Sequence, residues 1–133
     1  MTIQQLTVFV ENRQGSLSKI TRLLAAEKID LRALSIADTQ EFGILRLIVS
    51  DANRALEVLR ENGILVQITE VLCVKLPDRP GALSEVLEML DRAGINVEYL
   101  YAFLAQATPD AYVVLRVADN AAAEKVLKQG NLA

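Results

Sequence analysis

The chain contains one stretch of sequence twice, and this duplication limits the folds open to it more than any other feature. Residues 76–94 read LPDRPGALSEVLEMLDRAG, and residues 10–28 read VENRQGSLSKITRLLAAEK. A shift of 66 to 68 residues superimposes Gly15 on Gly81, Ile29 on Ile95 and Asp51 on Asp119. The extra residues of the second copy are expected at a turn in FLAQATPDA. Such self-similarity indicates a structural unit that was duplicated in tandem.

Each copy predicts a strand, then the repeated loop and a helix. Segments 3–10 and 70–76 carry β-branched and apolar residues in partial alternation, which is typical of strands. Past the loop, apolar residues recur at the spacing of one helix face, at Leu17, Ile20, Leu23 and Leu24 in the first copy and at Leu83, Val86, Leu87 and Leu90 in the second. Both copies therefore predict an amphipathic helix that packs on its own sheet.

The remainder of each copy predicts a hairpin and a second helix. New strands are expected to begin at Ile29 and at Gly94, the latter a suitable residue to end the preceding helix. A further strand, GILRLIVS or YVVLRVA, precedes Asp51 or Asp119, and each aspartate is placed to cap the next helix. The segment ILVQI at 64–68 closes the first copy as a fourth strand, whereas the second copy stops at GNLA, too soon for one.

The order β-α-β-β-α-β predicts a ferredoxin-like fold of the α+β class, with antiparallel sheets and both helices on one face. We expect two tandem units, at residues 1–68 and 69–133, with the last strand of the second unit short or missing. Its sheet edge would then need another element to cover it. The strands GILRLIVS and YVVLRVA are mostly apolar on both faces. The face without helices is therefore expected to be covered as well, which favours a homodimer that associates through sheet faces or edges.

The composition excludes several classes of function. The chain has no histidine and one cysteine, which removes Ser-His-Asp and Cys-His catalysis and the common zinc sites. A net charge of −3 and 5% aromatic residues argue against nucleic-acid binding. We find neither a run long enough for a membrane span nor a signal peptide. The lone Cys73 fits a small buried apolar side chain in a reducing compartment, so we expect a cytoplasmic protein without metal or cofactor.

A strand followed by Asn/Asp-Arg-x-Gly-x-Leu, a helix, and then Ile-Asn/Asp-Val/Leu resembles the ACT domain family. The resemblance covers nearly the whole chain as two copies, and it is most specific in DRPGALSEVLEML and GINVEYLYAF. It implies a regulatory module of β-α-β-β-α-β fold that binds an amino acid at an interface between two ACT units. The first copy departs from the pattern at Gln14, where the second has Pro80, and no glycine precedes Ile29.

Carried over by motif, the resemblance implies ligand-binding residues in both copies. In the second copy they are Asp78, Arg79, Pro80, Gly81, Ala82 and Leu83 in the loop, with Asn96 and Val97 near the next strand. In the first copy they are Asn12, Arg13, Gln14, Gly15, Ser16 and Leu17, with Asp30 and Leu31. The resemblance implies no catalytic residue.

The chemistry of the loops is compatible with this role. The helix behind each loop begins with N–H groups that have no partner within the helix, which suits a carboxylate. Gly15 and Gly81 allow a ligand to approach the backbone closely. Pro80 suits a first helical turn, and Asn12 or Asp78 could accept hydrogen bonds from an ammonium group. The alternative is structural: Asn12 or Asp78 caps the helix, and glycine and proline are ordinary turn residues.

Three aromatic residues, Tyr99, Tyr101 and Phe103, recur at every second position of NVEYLYAFL and so lie on one side of a predicted strand. One interpretation is sheet packing at a subunit or domain interface. The other places the hydroxyl of Tyr99 or Tyr101 in a ligand pocket. Two interpretations also stay open for Arg13 and Arg79: their side chains are solvated or interface charges, or they contact the ligand.

Two hypotheses for the function follow from these patterns. The first is a non-catalytic regulatory protein in which an amino acid strengthens or reshapes an interface. The second is a ligand-free association module that regulates or assembles a metabolic enzyme in trans. An enzyme is disfavoured, because no pair of carboxylates is predicted to converge at one strand end.

Overall fold

A computed structural model describes residues 1–38, 41–104 and 109–130 of the chain. In these residues strands and helices alternate twice in the predicted order, which confirms the predicted fold class. The elements are β1 (Thr2–Glu11), α1 (Ser16–Ala26), β2 (Leu31–Asp38), β3 (Phe42–Val49), α2 (Ala52–Glu61), β4 (Val66–Pro77), α3 (Ala82–Arg92), β5 (Tyr99–Ala102), β6 (Asp110–Arg116) and α4 (Asn120–Gln129). The turn expected in FLAQATPDA and the end of the second copy fall largely on 105–108 and 131–133, outside the described residues.

Two compact units make up the chain. The first unit is Gln4–Thr69, and the second unit is Met1–Ile3 together with Glu70–Ala133. The strand β4 spans the end of one repeat and the start of the next, as the continuous run ILVQITEVLCVKL predicts. The division into domains at 1–68 and 69–133 stays a prediction, but the first three residues group with the second unit.

In the first unit, β1 lies between β3 and the beginning of β4, and β2 forms the outer edge. Both β1 and β2 pair antiparallel with β3, so that Leu6 and Leu34 lie opposite Leu47. The Phe9 N–H donates to the Leu65 carbonyl at 3.0 Å, which adds β4 to the sheet. Alternate residues of β1 are buried against both helices in one cluster that includes Leu6, Val8, Val10, Ile20, Leu24, Ala55 and Leu59. The two helices therefore cover the same face.

In the second unit, β4 lies between β6 and the first residues of the chain, and β5 forms the outer edge. The Cys73 N–H donates to the Met1 carbonyl at 2.8 Å, so Met1–Ile3 covers the edge that lacked a fourth strand in the sequence-based prediction. The core again joins alternate strand residues to both helices, and it includes Leu72, Val74, Leu76, Val86, Leu90, Leu115, Ala123 and Leu127.

The aspartates predicted to cap the second helix of each copy do so. Asp51 accepts a hydrogen bond from the Arg54 N–H at 3.1 Å, and Asp119 accepts one from the Ala122 N–H at 3.1 Å. Each bond satisfies a backbone donor that the first helical turn leaves without a partner. The starts of α2 and α4 are therefore fixed by side chains, unlike the starts of α1 and α3 described below.

The strands that follow α1 and α3 begin later than predicted. The predicted starts were Ile29 and Gly94, but β2 begins at Leu31 and β5 at Tyr99. The reason is that the Ile29 and Ile95 N–H groups bond to carbonyls inside the preceding helices, at 3.0 and 2.9 Å, and so complete the helix ends. An N–H group that bonds to a helix carbonyl in this way cannot also donate to a neighbouring strand.

Both helix ends require a residue in the left-handed backbone region, and the two copies fill it differently. Gly94 adopts φ +72°, whereas Lys28 adopts φ +57° at the corresponding position of the first copy. A side chain in this region costs about 1–2 kcal/mol, which glycine avoids. Lys28 is therefore a strained residue in the first unit.

We expect Lys28→Gly to raise the free energy of unfolding of the first unit by about 0.5–1 kcal/mol, part of the gain being offset by the flexibility of glycine in the unfolded chain. Urea denaturation of the variant and the parent measures the change. Gly94→Lys is the matched control and should lower the stability of the second unit by a similar amount. An unchanged or lower midpoint for Lys28→Gly would contradict the assignment of strain.

Candidate functional site

The repeated loops, 12–17 and 78–83, form the same turn in both units. The Ser16 N–H donates to the Arg13 carbonyl, and the Ala82 N–H donates to the Arg79 carbonyl, each at 3.3 Å. Gly15 lies at φ 89°, ψ −12° and Gly81 at φ 88°, ψ −13°. These angles are those of the third residue of a type II turn, a position that favours glycine.

The turn corrects the role expected for Pro80. Because α3 begins at Ala82, Pro80 lies before the helix, at the second residue of the turn. Proline is favoured there because its fixed φ matches the turn. Gln14 takes the same position in the first unit, and this turn position also accepts residues other than proline, so the departure from the motif does not alter the local fold.

The helix that follows each loop begins without a side-chain cap. Gly15 and Gly81 are the N-terminal caps of α1 and α3, and neither offers a side-chain acceptor. The structural alternative, in which Asn12 or Asp78 caps the helix, is therefore wrong. No atom among the described residues lies within 4 Å of the position that a Cβ would take on Gly15 or Gly81. The Ser16 and Ala82 N–H groups are used within the turn, whereas the N–H groups that follow them in α1 and α3 receive no side-chain cap from the described residues.

In the first unit the loop borders a groove of about 310 Å³. Its walls come from the end of β1, the first turn of α1, the start of β3 and the connection between α2 and β4. They are lined by Phe9, Val10, Glu11, Arg13, Ser16, Lys19, Ile20, Phe42, Gly63, Ile64 and Leu65. Arg13 Nε lies 2.9 Å from a carboxylate oxygen of Glu11, and both side chains are largely exposed. The groove therefore combines charges of both signs with apolar surface.

In the second unit, one ion pair joins the corresponding loop to α3 and another lies in the adjoining strands. Arg79 Nη2 lies 3.0 and 3.1 Å from the two carboxylate oxygens of Glu85, and Lys75 Nζ lies 3.2 Å from Asp110. The hydrogen bond and the charge of Asp110 raise the pKa of Lys75. Asp78 is exposed and directly follows β4.

The structure does not bring the loop residues together with the residues predicted near the next strand. Asp30 and Leu31 follow α1, whereas residues 12–17 precede or begin it, and Asn96 and Val97 stand in the same relation to α3. Each helix has 11 residues, so its ends are about 16 Å apart. Asn96 and Val97 line a separate shallow depression of about 410 Å³ with Leu87, Asp91, Gly94 and Ile95. Within one unit, the predicted residues therefore form two separate groups.

The three aromatic residues predicted on one side of a strand are located on the face opposite the helices. Tyr101 lies opposite Val114, whereas the neighbouring Leu115 belongs to the helix-side core. The Tyr99 and Tyr101 rings stack with centroids 6.5 Å apart, and Phe103 packs on Tyr112 at 5.9 Å. Tyr101 is buried while Tyr99 is half-buried. These ring contacts lie within the second unit, and both interpretations of the cluster stay predictions.

Comparison with known proteins identifies the family. The sequence matches the family described as an ACT domain pair over residues 1–133. The chain belongs to this family. It is similar to the crystal structure of protein BT0572 from Bacteroides thetaiotaomicron, with 41% identity, a TM-score of 0.93, and coverage of 99% of this chain and 90% of that one. A comparison with curated proteins gives no match.

More distant structures share the fold of this ACT domain pair. The regulatory subunit of aspartate kinase from Thermus thermophilus, in a ligand-free form, has 16% identity and a TM-score of 0.67, and the match covers 97% of this chain and 94% of that one. E. coli aspartokinase III in complex with lysine and aspartate has 16% identity and a TM-score of 0.55, with 97% of this chain matching 31% of that one. At these identities the likeness shows the fold alone.

Several groove residues of the ACT domain pair were missed by motif-based reasoning, because they lie outside the loop. They are Phe9, Lys19, Phe42 and Leu65. A signal for them exists in the alignment of the two copies, which places Lys19 against Glu85 and Phe9 against Lys75. A difference between otherwise similar repeats marks positions that the common fold does not require.

Cys73 is a free, buried cysteine of the ACT domain pair. Burial raises the pKa of the Cys73 thiol, which keeps it in its less reactive protonated form. Across residues 1–38, 41–104 and 109–130, none of the helices is both long and apolar enough to cross a membrane.

Proposed function

We propose that this ACT domain pair is a non-catalytic regulatory protein that binds a small ligand, an amino acid, at the loop after β1, at the loop after β4, or at both. The observation that carries the proposal is the turn made by residues 12–17 and 78–83, which presents a helix start without a side-chain cap beside exposed charged groups. Such a start suits the carboxylate of the ligand. A chain without histidine supports the absence of catalysis.

Individual residues have distinct roles in the proposed sites. Gly15 and Gly81 let the ligand reach the backbone, while Asn12 and Asp78 would accept hydrogen bonds from its ammonium group. The remaining loop positions, Arg13, Gln14, Ser16, Leu17, Arg79, Pro80, Ala82 and Leu83, shape and charge the rim. Tyr99 and Tyr101 lie on the sheet face opposite the helices, so they would contact a ligand only if a second chain placed one against that face.

Association of two chains is part of the proposal. Asp30, Leu31, Asn96 and Val97 could complete a loop site only if a second chain supplied them, because a helix separates them from the loop of their own unit. The outer strand β2 supports such a homodimer, because its Leu34 and Ile36 side chains remain exposed on a long sheet edge. We further propose a cytoplasmic location, where the single thiol would stay reduced.

Thermal unfolding with each of the twenty amino acids at millimolar concentration tests the proposal. A ligand present at about 100 times its dissociation constant should stabilise the protein by about 2.7 kcal/mol. We expect a rise in melting temperature for one amino acid or a few chemically related ones, together with a change in sedimentation if the ligand acts on the dimer. D-enantiomers at the same concentration are the control for non-specific solute effects.

An unchanged melting temperature across the panel would exclude the ligand-binding proposal. It would favour the second candidate, a ligand-free association module that regulates or assembles a metabolic enzyme in trans. The exposed apolar edge of β2 is the observation that supports this candidate.

A further inference from the structure

The two copies share a loop but differ in the charges around it. At the fourth residue of the helix the first unit has Lys19 and the second has Glu85. In the adjoining strands, the Phe9 and Phe42 positions of the first unit correspond to Lys75 and Asp110. The last correspondence follows from the strand register: Phe42 lies opposite Glu11, and Asp110 lies opposite Pro77.

The loop of the second unit is neutralised by its own side chains. Glu85 supplies a negative charge in the first turn of α3, where the helix dipole favours an anion, and it binds Arg79 with both carboxylate oxygens within 3.1 Å. Lys75 and Asp110 pair across β4 and β6 at 3.2 Å. Arg79 and Lys75 are therefore already paired with carboxylates. Charged residues also occupy the positions that Phe9 and Phe42 hold in the first unit, so among the described residues this loop has no comparable apolar surface for a ligand side chain.

The loop of the first unit has the opposite character. The first turn of α1 contains no acidic residue, and it carries Lys19 instead. Arg13 pairs with Glu11 in an exposed ion pair, which is as weak a contact as the exposed Arg79–Glu85 pair, so the two loops differ mainly in Lys19 and in the apolar residues beside it. Beside these charges, Phe42 is 51% exposed and Leu65 is 68% exposed, and both line the groove. Exposed apolar side chains grouped in a concave surface indicate a binding site.

We infer that the groove of the first unit binds one α-amino acid with a large aliphatic or aromatic side chain, and that the second unit does not. The ligand carboxylate meets Lys19 and Arg13, and its side chain covers Phe9, Phe42 and Leu65. Its ammonium group meets Glu11 in place of Asn12, because Glu11 lines the groove and Asn12 does not. The volume of about 310 Å³ is at the small end for ligand sites, which fits a single amino acid. This inference rests on the proposed function and names both the ligand class and the unit that holds it.

Titration calorimetry of the full chain with L-leucine, L-phenylalanine, L-aspartate and L-lysine tests the ligand class. We expect L-leucine or L-phenylalanine to bind with one site per chain. The affinity for L-aspartate and L-lysine should be lower by about 10-fold or more, because their charged side chains would lie against an apolar wall. Equal or tighter binding of L-aspartate or L-lysine would overturn the ligand class.

Charge substitution tests the location. Lys19→Glu copies the second unit into the first and should weaken binding by about 10- to 100-fold, since a charge-assisted contact is replaced by repulsion. Lys19→Arg should retain the affinity. Glu85→Lys is the matched control at the corresponding residue of α3, and it should leave affinity and stoichiometry unchanged. Because Lys19 and Glu85 are exposed, circular dichroism and melting temperature should confirm that each variant folds.

The outcomes separate this inference from the function on which it rests. If Glu85→Lys changes the binding and Lys19→Glu does not, the ligand lies in the second unit, so the inference fails while the amino-acid-binding function stands. Two sites per chain in the parent protein would also overturn it. If none of the twenty amino acids binds, both proposals fail. If instead Lys19→Glu changes only the sedimentation coefficient, the groove is a contact between chains and the inference is overturned.

Discussion

Leu115→Ala is expected to lower the free energy of unfolding of the second unit by about 3 kcal/mol. Leu115 in β6 is completely buried, and it lies opposite Leu72 of β4 within the core that α3 and α4 cover. Truncation removes the transfer free energy of the side chain and leaves a cavity that the close-packed surroundings fill only in part, with measured losses of about 2–5 kcal/mol for such sites. Urea denaturation followed by circular dichroism measures the change.

The neighbouring strand offers a control for Leu115→Ala. Leu100 in β5 lies opposite Leu115 on the same face, but it is 37% exposed. Leu100→Ala should therefore cost about 1 kcal/mol or less, because much of the side chain stays in contact with water in the folded state. Equal losses for the two variants would show that the core of the second unit is not organised as described.

Gly81→Val is expected to destabilise the second unit by about 2 kcal/mol and to disrupt the loop. At φ 88° the backbone is in the region that β-branched residues strongly avoid. A Cβ at this position would meet no atom of the described residues within 4 Å, so the cost is expected to come from the backbone itself and not from a clash. Denaturation of Gly81→Val against the parent protein measures this cost.

Asparagine separates backbone strain from other effects of substitution at Gly81. It tolerates the left-handed region better than other side chains, so Gly81→Asn should lose clearly less stability than Gly81→Val. The same pair of substitutions at Gly15, which has φ 89°, should give the same ranking in the first unit. If valine and asparagine are equally well tolerated, then the loop does not keep the type II turn in solution.

The fold could be predicted from the sequence because its signals are local and occur twice. Asp51 and Asp119 mark helix starts because each side chain accepts a hydrogen bond from the N–H group three residues later. The spacing of apolar residues after Gly81 determines which face of α3 is buried. The family pattern reinforces these signals, because it joins the loop to the strand that follows the helix. Element order and fold class follow from short-range rules of this kind.

The strand starts and the edge of the second sheet could not be predicted for a physical reason. Whether the Ile95 N–H closes a helix or enters a strand depends on one hydrogen bond, which the composition of the segment does not specify. The pairing of Met1 with Cys73 joins residues that are far apart in sequence, and local pattern carries no information on such a contact.

The candidate site was predicted in part. The motif located the loops, but the groove also depends on Phe42 and Leu65, which reach it from β3 and from the connection before β4. Motif reasoning also treated the copies as equivalent, apart from Gln14 at the position of Pro80 and the lack of a glycine before Ile29. The copies differ in charge at Lys19 and Glu85, which are exposed residues of α1 and α3. In the sequence such residues look like any solvent-exposed position of a helix.

The placement of Met1–Ile3 in the second unit has a consequence for how this protein can be divided or can evolve. Residues 1–3 complete the sheet that contains residues 72–77, although the rest of the first repeat lies between the two segments in the sequence. Removing the first repeat at the duplication boundary would leave residues 69–133 without the pairing that Met1 makes with Cys73. Loss of the first copy would therefore also remove part of the second unit, whereas the first unit takes almost all of its residues from its own copy.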